Sequence, residues 1–259
     1  MNKKVVIGIA SALAVTAIVA TVVVVKQTKD KGTVQDSNST ETVTEATPIT
    51  ADELGIYDED DPTSDAEEFK EFVFDIQGES LSILKITGSG SVVVPSNVGE
   101  YEVLGIQRGA LVDCPATKLS IPDGVSIGST QCNANTKLEE LSIGSNCYVD
   151  NYAFQDCTSL KSVSIGSGTA WLGLGVFKGC SVLENVNLGN GFETIPDEMF
   201  SGCTSLKSVS IPNSVLEIAD NAFEDSGVTE LVGSKNSIAK EYAAKHGMNF
   251  KEIEYATGE

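Results

Sequence analysis

The chain has 259 residues and a formal net charge of −20, with 17 Lys and Arg against 37 Asp and Glu. This charge argues against a nucleic-acid binding protein, because a polyanion is bound by clustered cations. The single histidine, His246, excludes metal sites built from several histidines and leaves one position for a Ser-His-Asp or Cys-His group. The sequence also shows no nucleophile–base pair and no convergent pair of carboxylates. We therefore expect that the protein has no enzyme activity and binds no cofactor or metal.

The N-terminal segment is long enough to cross a membrane. An uncharged, mostly apolar run of 21 residues extends from Val5 to Val25 between flanking lysines. As a helix it spans about 31 Å, and a bilayer core is about 30 Å thick. We expect residues 1–25 to be an uncleaved signal-anchor with the rest of the chain extracellular. The alternative is a signal peptide cleaved near Val15-Thr16-Ala17, which would release a secreted protein.

Residues 26–68 have the composition of a disordered tether. They carry three lysines and thirteen acidic residues, a local net charge of −10, with few large apolar side chains. Such a segment buries too little apolar surface to offset its ordering entropy, and charge repulsion extends it. Its most acidic run, residues 58–61, lacks the spacing and glycine of a calcium-binding loop, so we interpret it as a solvated spacer.

An internal repeat of 21–23 residues fills the remaining sequence. Four phenylalanines are spaced by 23 residues each: Phe154, Phe177, Phe200 and Phe223. Aliphatic residues that end short strand patterns recur in the same register: Ile121, Ile143, Ile165, Leu188 and Ile211. In the two earlier units, Leu111 and Cys132 take the phenylalanine position. The sequence therefore predicts about six repeat units.

The pattern within one unit predicts how the units assemble. Val163 and Ile165 alternate with Ser162 and Ser164, as expected of a short strand with one buried face. A second extended stretch carries another inward aliphatic residue, such as Leu172, five residues before the phenylalanine. One unit cannot close a core alone, so stacked units should form a solenoid with a ladder of parallel strands.

The repeat resembles the BspA-type, or Treponema pallidum type, bacterial leucine-rich repeat family. The resemblance rests on Ala-Phe-x-x-Cys-x-x-Leu-x-x-Val-x-Ile-Pro, matched by Phe200-Ser-Gly-Cys203-Thr-Ser-Leu206 and Val209-Ser-Ile211-Pro212. It extends over about residues 81–253 and implies a leucine-rich repeat solenoid with a short C-terminal cap helix. We therefore expect entry strands in 69–100, repeats in 101–231 and the cap in 232–259. The resemblance also implies a cell-surface or secreted protein that binds partners and has no enzyme activity.

Six cysteines in an exported chain raise the question of disulfide bonds. Cysteines of adjacent units would lie about 5 Å apart, a distance that permits a disulfide bond. The same position, however, is filled by Asn135 and Ser226 in other units, which favours buried free side chains that serve the turn backbone. The sequence leaves the redox state open for all six: Cys114, Cys132, Cys147, Cys157, Cys180 and Cys203.

Two outward-facing surfaces are candidate partner-binding sites. The strand ladder should display small polar side chains: Ser142, Ser164, Asn187 and Ser210. The stronger candidate is Tyr148 with Trp171, which occupy the same outward position in neighbouring units, because aromatic residues dominate binding hot spots. The alternative is that these rings pack against a neighbouring loop or the tether. We expect an adhesion module that binds an extracellular protein or glycan; the alternative is a passive spacer of the cell envelope without a specific ligand.

Overall fold

The computed structural model describes residues 49–50, 69, 71–77, 80–129, 137–169 and 171–253. The expected membrane segment at residues 5–25 and Cys132 lie outside these ranges, as does most of the expected tether. In the part of the chain that is described, no helix is both long and apolar enough to span a bilayer.

The described residues form short strands and a single helix. In chain order they are β1 (Ile49–Thr50), β2 (Phe72–Gln77), β3 (Ser80–Ile86), β4 (Gly90–Val93), β5 (Asn97–Val98), β6 (Tyr101–Ile106), β7 (Ala116–Ile121), β8 (Ser126–Ile127), β9 (Glu140–Ile143), β10 (Tyr148–Val149), β11 (Ser162–Ile165), β12 (Trp171–Leu172), β13 (Asn185–Leu188), β14 (Thr194–Ile195), β15 (Ser208–Ser210), β16 (Glu217–Ile218), β17 (Glu230–Gly233), α1 (Ile238–His246) and β18 (Asn249–Glu252).

The longer strands of the repeat build one ladder of parallel strands. Its first sheet has the order β4-β7-β9-β11-β13, and its second has the order β15-β17-β18. Within it Ile143, Ile165 and Leu188 are direct partners and are buried, as the repeat register predicts. The solenoid has about eight turns, whereas the sequence predicts about six units. The two extra coils contain β4 and β18, and neither carries the Phe-x-x-Cys signature by which units are counted.

The second extended stretch of each unit forms a ladder of two-residue strands. β8, β10 and β12 pair in parallel, and β14 pairs with β16 in the same way. The aliphatic residue of each pair points inward, and the phenylalanine that follows stacks on its neighbour. The ring centroids of Phe154, Phe177, Phe200 and Phe223 are 5.9, 5.9 and 5.5 Å apart, and all four rings are buried. The single phenylalanine column is therefore confirmed.

Antiparallel strands cover the N-terminal end of the solenoid. β2 pairs antiparallel with β3, and β1 pairs antiparallel with the outer side of β2. β3 also pairs in parallel with β6. Ile49 and Thr50, which belong to the segment expected to be a tether, form β1 opposite Phe74 and Val73. Both are β-branched residues, which suit an edge strand.

The helix α1 closes the other end, as expected of a cap. Its buried residue Tyr242 packs edge-on against Phe223, with ring centroids 5.8 Å apart, and so ends the aromatic column. The helix stops at Gly247, whose φ of 68° is left-handed, and His246 lies in the last turn, where the helix dipole favours a cation. The chain then returns as β18 beside β17, a strand that the sequence pattern does not reveal.

The described cysteines are buried in the core: Cys114, Cys147, Cys157, Cys180 and Cys203. Two thiols donate to a backbone carbonyl of the preceding coil, Cys180 to Phe154 and Cys203 to Phe177, each at 3.2 Å. Ser226, at the same repeat position, donates instead to the carbonyl of Phe223 in its own coil at 2.7 Å. The cysteine position therefore serves the turn backbone, as its exchange with serine suggests.

We expect Cys203 to resist alkylation in the folded protein. Burial raises the pKa of its thiol to about 12 from an ordinary value of 9.0, so almost no thiolate is present at pH 8. Because folding favours the neutral thiol, its contribution to the free energy of unfolding is fully present below pH 9. This contribution declines as the pH rises toward 12. Iodoacetamide followed by peptide mass spectrometry should modify Cys203 only after unfolding; rapid modification of the native chain would contradict this.

Candidate functional site

Tyr148 and Trp171 lie side by side on the ladder of two-residue strands. β10 and β12 pair with Tyr148 directly opposite Trp171 and Val149 directly opposite Leu172. The two outward rings are nearly parallel, with an interplanar angle of 14° and centroids 6.4 Å apart. This distance and angle are typical of stacked aromatic pairs. We call Tyr148 and Trp171 the aromatic edge.

The aromatic edge combines exposed rings with an anchored backbone. Tyr148 is 45% exposed and Trp171 is 50% exposed, so about half of each side chain is open to solvent. Their strand partners Val149 and Leu172 are buried in the core and hold the backbone in place. About half of each ring is therefore accessible to a partner, and the alternative in which the rings pack against the tether falls mostly on residues outside the described ranges.

The small polar side chains lie on the ladder of longer strands and form a second surface. Ser142, Ser164 and Asn187 are direct partners in adjacent strands, and Ser210 continues the row in β15. With neighbouring strand residues they line a shallow groove of about 590 Å³. Asn187 donates to the Ser164 hydroxyl at 3.4 Å. We call this surface the strand face.

The charged residues beside the strand face pair with one another across adjacent coils. Lys118 contacts Glu140 at 2.8 Å, and Lys161 contacts Glu139 at 2.6 Å. The hydrogen bond from Lys161 holds the pKa of the Glu139 carboxyl below its usual value. These pairs are exposed and stabilise the fold little. The strand face, as far as it is described, therefore presents hydrogen-bonding groups without an aromatic anchor.

The cap holds a further group of titratable side chains. A depression of about 320 Å³ is lined by Asp220, Asn221, Tyr242 and His246 among others. Lys245 donates to Asp220, which lowers the pKa of that carboxyl, and the His246 Nε2 lies 3.6 Å from it. His246 also stacks on Tyr242, with centroids 4.1 Å apart. Within the described ranges no three His, Cys, Asp or Glu side chains are placed to hold a metal ion.

Sequence reasoning missed the exposed apolar residue Leu216, which lies in the second coil after that of Trp171. Leu216 is 67% exposed, and its N–H donates to the Glu193 carbonyl of the preceding coil at 2.7 Å. In the repeat register Leu216 aligns with the exposed Glu193 but also with Val125 and Cys147, which are buried, so the register alone does not indicate that Leu216 is exposed.

Replacing Trp171 with alanine should lower stability only modestly. Because half of the indole is already exposed, we expect a loss of about 1–2 kcal/mol, made up of partial burial and the contact with Tyr148. The fluorescence of this single tryptophan should lie close to that of the unfolded chain. An emission maximum strongly blue-shifted in the folded protein, or a loss as large as for a buried aromatic, would contradict the exposed geometry.

Comparison with known proteins agrees with this architecture. The family model for the BspA type leucine rich repeat region matches six copies over residues 125–247. Such repeats form solenoids that are generally non-catalytic scaffolds for protein interaction. Among curated protein sequences, none matches the chain.

Three solved structures match part of the chain at low sequence identity and with TM-scores below 0.5. A T. pallidum leucine rich repeat protein is 18% identical, with a TM-score of 0.44, covering 72% of this chain and 98% of that one. A leucine rich cell surface protein from Faecalibacterium prausnitzii is 13% identical, with a TM-score of 0.35, covering 72% and 94%. The pneumococcal vaccine antigen PcpA is 13% identical, with a TM-score of 0.46, covering 64% and 49%. The repeats at residues 125–247 therefore belong to the BspA-type leucine-rich repeat family.

Proposed function

We propose that this chain is a cell-surface adhesion module that binds an extracellular protein through the aromatic edge. The observation that carries the proposal is the stacked and half-exposed pair of Tyr148 and Trp171. Single exposed apolar residues are common on protein surfaces, but two large rings in register on a rigid ladder are a preformed contact surface. Tyrosine and tryptophan are also the residues most enriched in binding hot spots.

The rigidity of the aromatic edge supports a binding role on energetic grounds. Binding costs free energy when flexible side chains must be ordered at the interface. Here the two rings already restrict each other, and the buried Val149 and Leu172 fix the strands that carry them. A partner that covers both rings therefore loses less free energy to ordering than one that binds a flexible loop.

The strand face has a subsidiary role in this proposal. Its serine and asparagine side chains can form hydrogen bonds with a partner, but they offer no deep apolar contact. Such contacts at the margin of an interface contribute orientation more than affinity. We therefore expect substitutions such as Ser164→Ala or Asn187→Ala to weaken binding less than Trp171→Ala.

The cell-surface location rests on the N-terminal sequence. Residues 5–25 are apolar enough to anchor the chain in a membrane, and the acidic segment that follows would hold the solenoid away from it. After cell fractionation, the full-length chain should be found in the membrane pellet and be cut by protease added to intact cells. A mature N-terminus near residue 18 in the culture medium would show a cleaved signal instead.

A panel of purified matrix proteins and glycans tests the proposal. Immobilised full-length chain should capture at least one matrix protein, and Trp171→Ala should abolish capture without a matching loss of melting temperature. Ser164→Ala is the control on the strand face. Failure to capture any panel member would favour the passive spacer. Capture of glycans alone would contradict the protein partner, and capture unchanged by Trp171→Ala would contradict the aromatic edge.

A further inference from the structure

One face of the Trp171 ring lies open toward the next coil. Tyr148 stacks on the other side of the indole. Two backbone bonds fix the register with the next coil, Gly168 N–H to the Asn190 carbonyl at 2.6 Å and Gly175 N–H to the Asp197 carbonyl at 2.9 Å. This register places Thr194 beside Trp171. Because threonine is short, it leaves much of that indole face uncovered, in agreement with the 50% exposure of Trp171.

Two carboxylates and an apolar side chain belong to the two coils that follow Trp171. Glu193 precedes Thr194, and Glu217 is the direct strand partner of Thr194 in the following coil. The N–H groups of Leu216 and Glu217 both donate to the Glu193 carbonyl, at 2.7 and 3.1 Å. Glu193, Leu216 and Glu217 are all exposed, and among the described residues neither carboxylate makes an ion pair. We call these three residues the acidic flank.

Building on the proposed function, we propose that the aromatic edge and the acidic flank together bind an arginine-bearing segment of the partner protein. A guanidinium group can stack on the open face of Trp171 while its N–H groups donate to Glu193 or Glu217. The planar shape and weak hydration of arginine suit this combination better than the ammonium group of lysine. Leu216 offers an apolar surface for the aliphatic part of the arginine side chain.

The overall charge supports a basic partner and disfavours other occupants of this surface. Residues 69–253 carry 12 Lys and Arg against 22 Asp and Glu. A field of this sign attracts a basic segment and increases its rate of association. It repels the acidic segment 26–68 of the same chain, whose net charge is −10, and a second copy of the chain for the same reason. The occupant that fits by charge is therefore a basic segment of another protein.

A tryptophan-free peptide of four Arg-Gly repeats tests the proposal on the full chain in a non-ionic detergent. Binding is followed by the fluorescence of Trp171, the only indole in the chain. We expect the peptide to quench the emission and to bind at least tenfold more tightly than the same peptide with citrulline, which is a neutral analogue of arginine. Replacing both carboxylates (Glu193→Gln with Glu217→Gln) should weaken binding of the arginine peptide about tenfold.

A matched variant separates the local site from net charge. Glu102→Gln with Glu252→Gln changes the net charge equally but alters exposed residues in β6 and β18, and it should leave affinity within twofold. Equal losses in the two double variants, or equal affinity for the citrulline peptide, would overturn the proposal. If Trp171→Ala abolishes capture of a matrix protein while the arginine peptide fails to bind, the proposed function stands and the arginine preference is wrong.

Discussion

Replacing Phe200 with alanine is expected to lower the free energy of unfolding by about 3–5 kcal/mol. Phe200 is fully buried in the middle of the aromatic column, with Phe177 and Phe223 stacked on its two sides at 5.9 and 5.5 Å. Truncation removes the transfer free energy of the ring and leaves a cavity that two coils would have to collapse to fill. Denaturant unfolding of the variant and the parent chain measures the difference.

Ser164→Ala is the matched control for the phenylalanine column. Ser164 lies on the strand face, where it accepts a hydrogen bond from Asn187 at 3.4 Å. Loss of such a partly exposed contact should change stability by no more than about 0.5 kcal/mol. Similar losses for Phe200→Ala and Ser164→Ala would show that the inward and outward faces of the coil have been assigned wrongly.

The second large effect is expected from Gly166→Ala, through steric overlap between coils. A Cβ at Gly166 would lie 2.5 Å from the Ser145 nitrogen and 2.6 Å from the Gly144 carbonyl carbon. Both are backbone atoms of the preceding coil, so the strain cannot be relieved by turning a side chain. Because the neighbouring strand must shift, we expect a loss of about 3 kcal/mol, at the upper end for overpacking. Thermal or denaturant unfolding measures it.

Gly109→Ala separates this steric effect from the ordinary cost of a left-handed glycine. Gly109 has a φ of 82°, and a Cβ there would meet no atom within 4 Å. Its replacement should cost about 1–2 kcal/mol from backbone strain alone. A Gly166→Ala loss no larger than that of Gly109→Ala would contradict close approach of the two coils.

Much of this fold could be predicted because the repeat spacing is nearly constant. Phenylalanines 23 residues apart can stack only if each unit makes one coil, so the aromatic column and the register of Ile143 with Ile165 follow from spacing. The end coils could not be counted in the same way. β4 and β18 lack the repeat signature, and their pairing depends on the edge that the neighbouring coil offers.

In the candidate site, too, the repeat register could be predicted from the sequence, whereas the surroundings of the side chains could not. Register alone places Tyr148 beside Trp171, and the structure has them in that position. Their exposure could not be predicted, because it depends on whether a loop from elsewhere covers the rings. Leu216 was missed for a related reason: one exposed leucine has no significance in sequence until its position two coils beyond Trp171 is known.

The most direct test of the aromatic edge as the binding surface is a single ¹⁹F resonance. Because Trp171 is the only tryptophan, a chain grown with 5-fluorotryptophan reports this position alone, even when the partner contains tryptophans of its own. Titration with the matrix protein captured from the panel should shift or broaden the resonance, with saturation at the concentration that saturates binding. A resonance that keeps its position and width while the partner is fully bound would place the interface elsewhere on the solenoid.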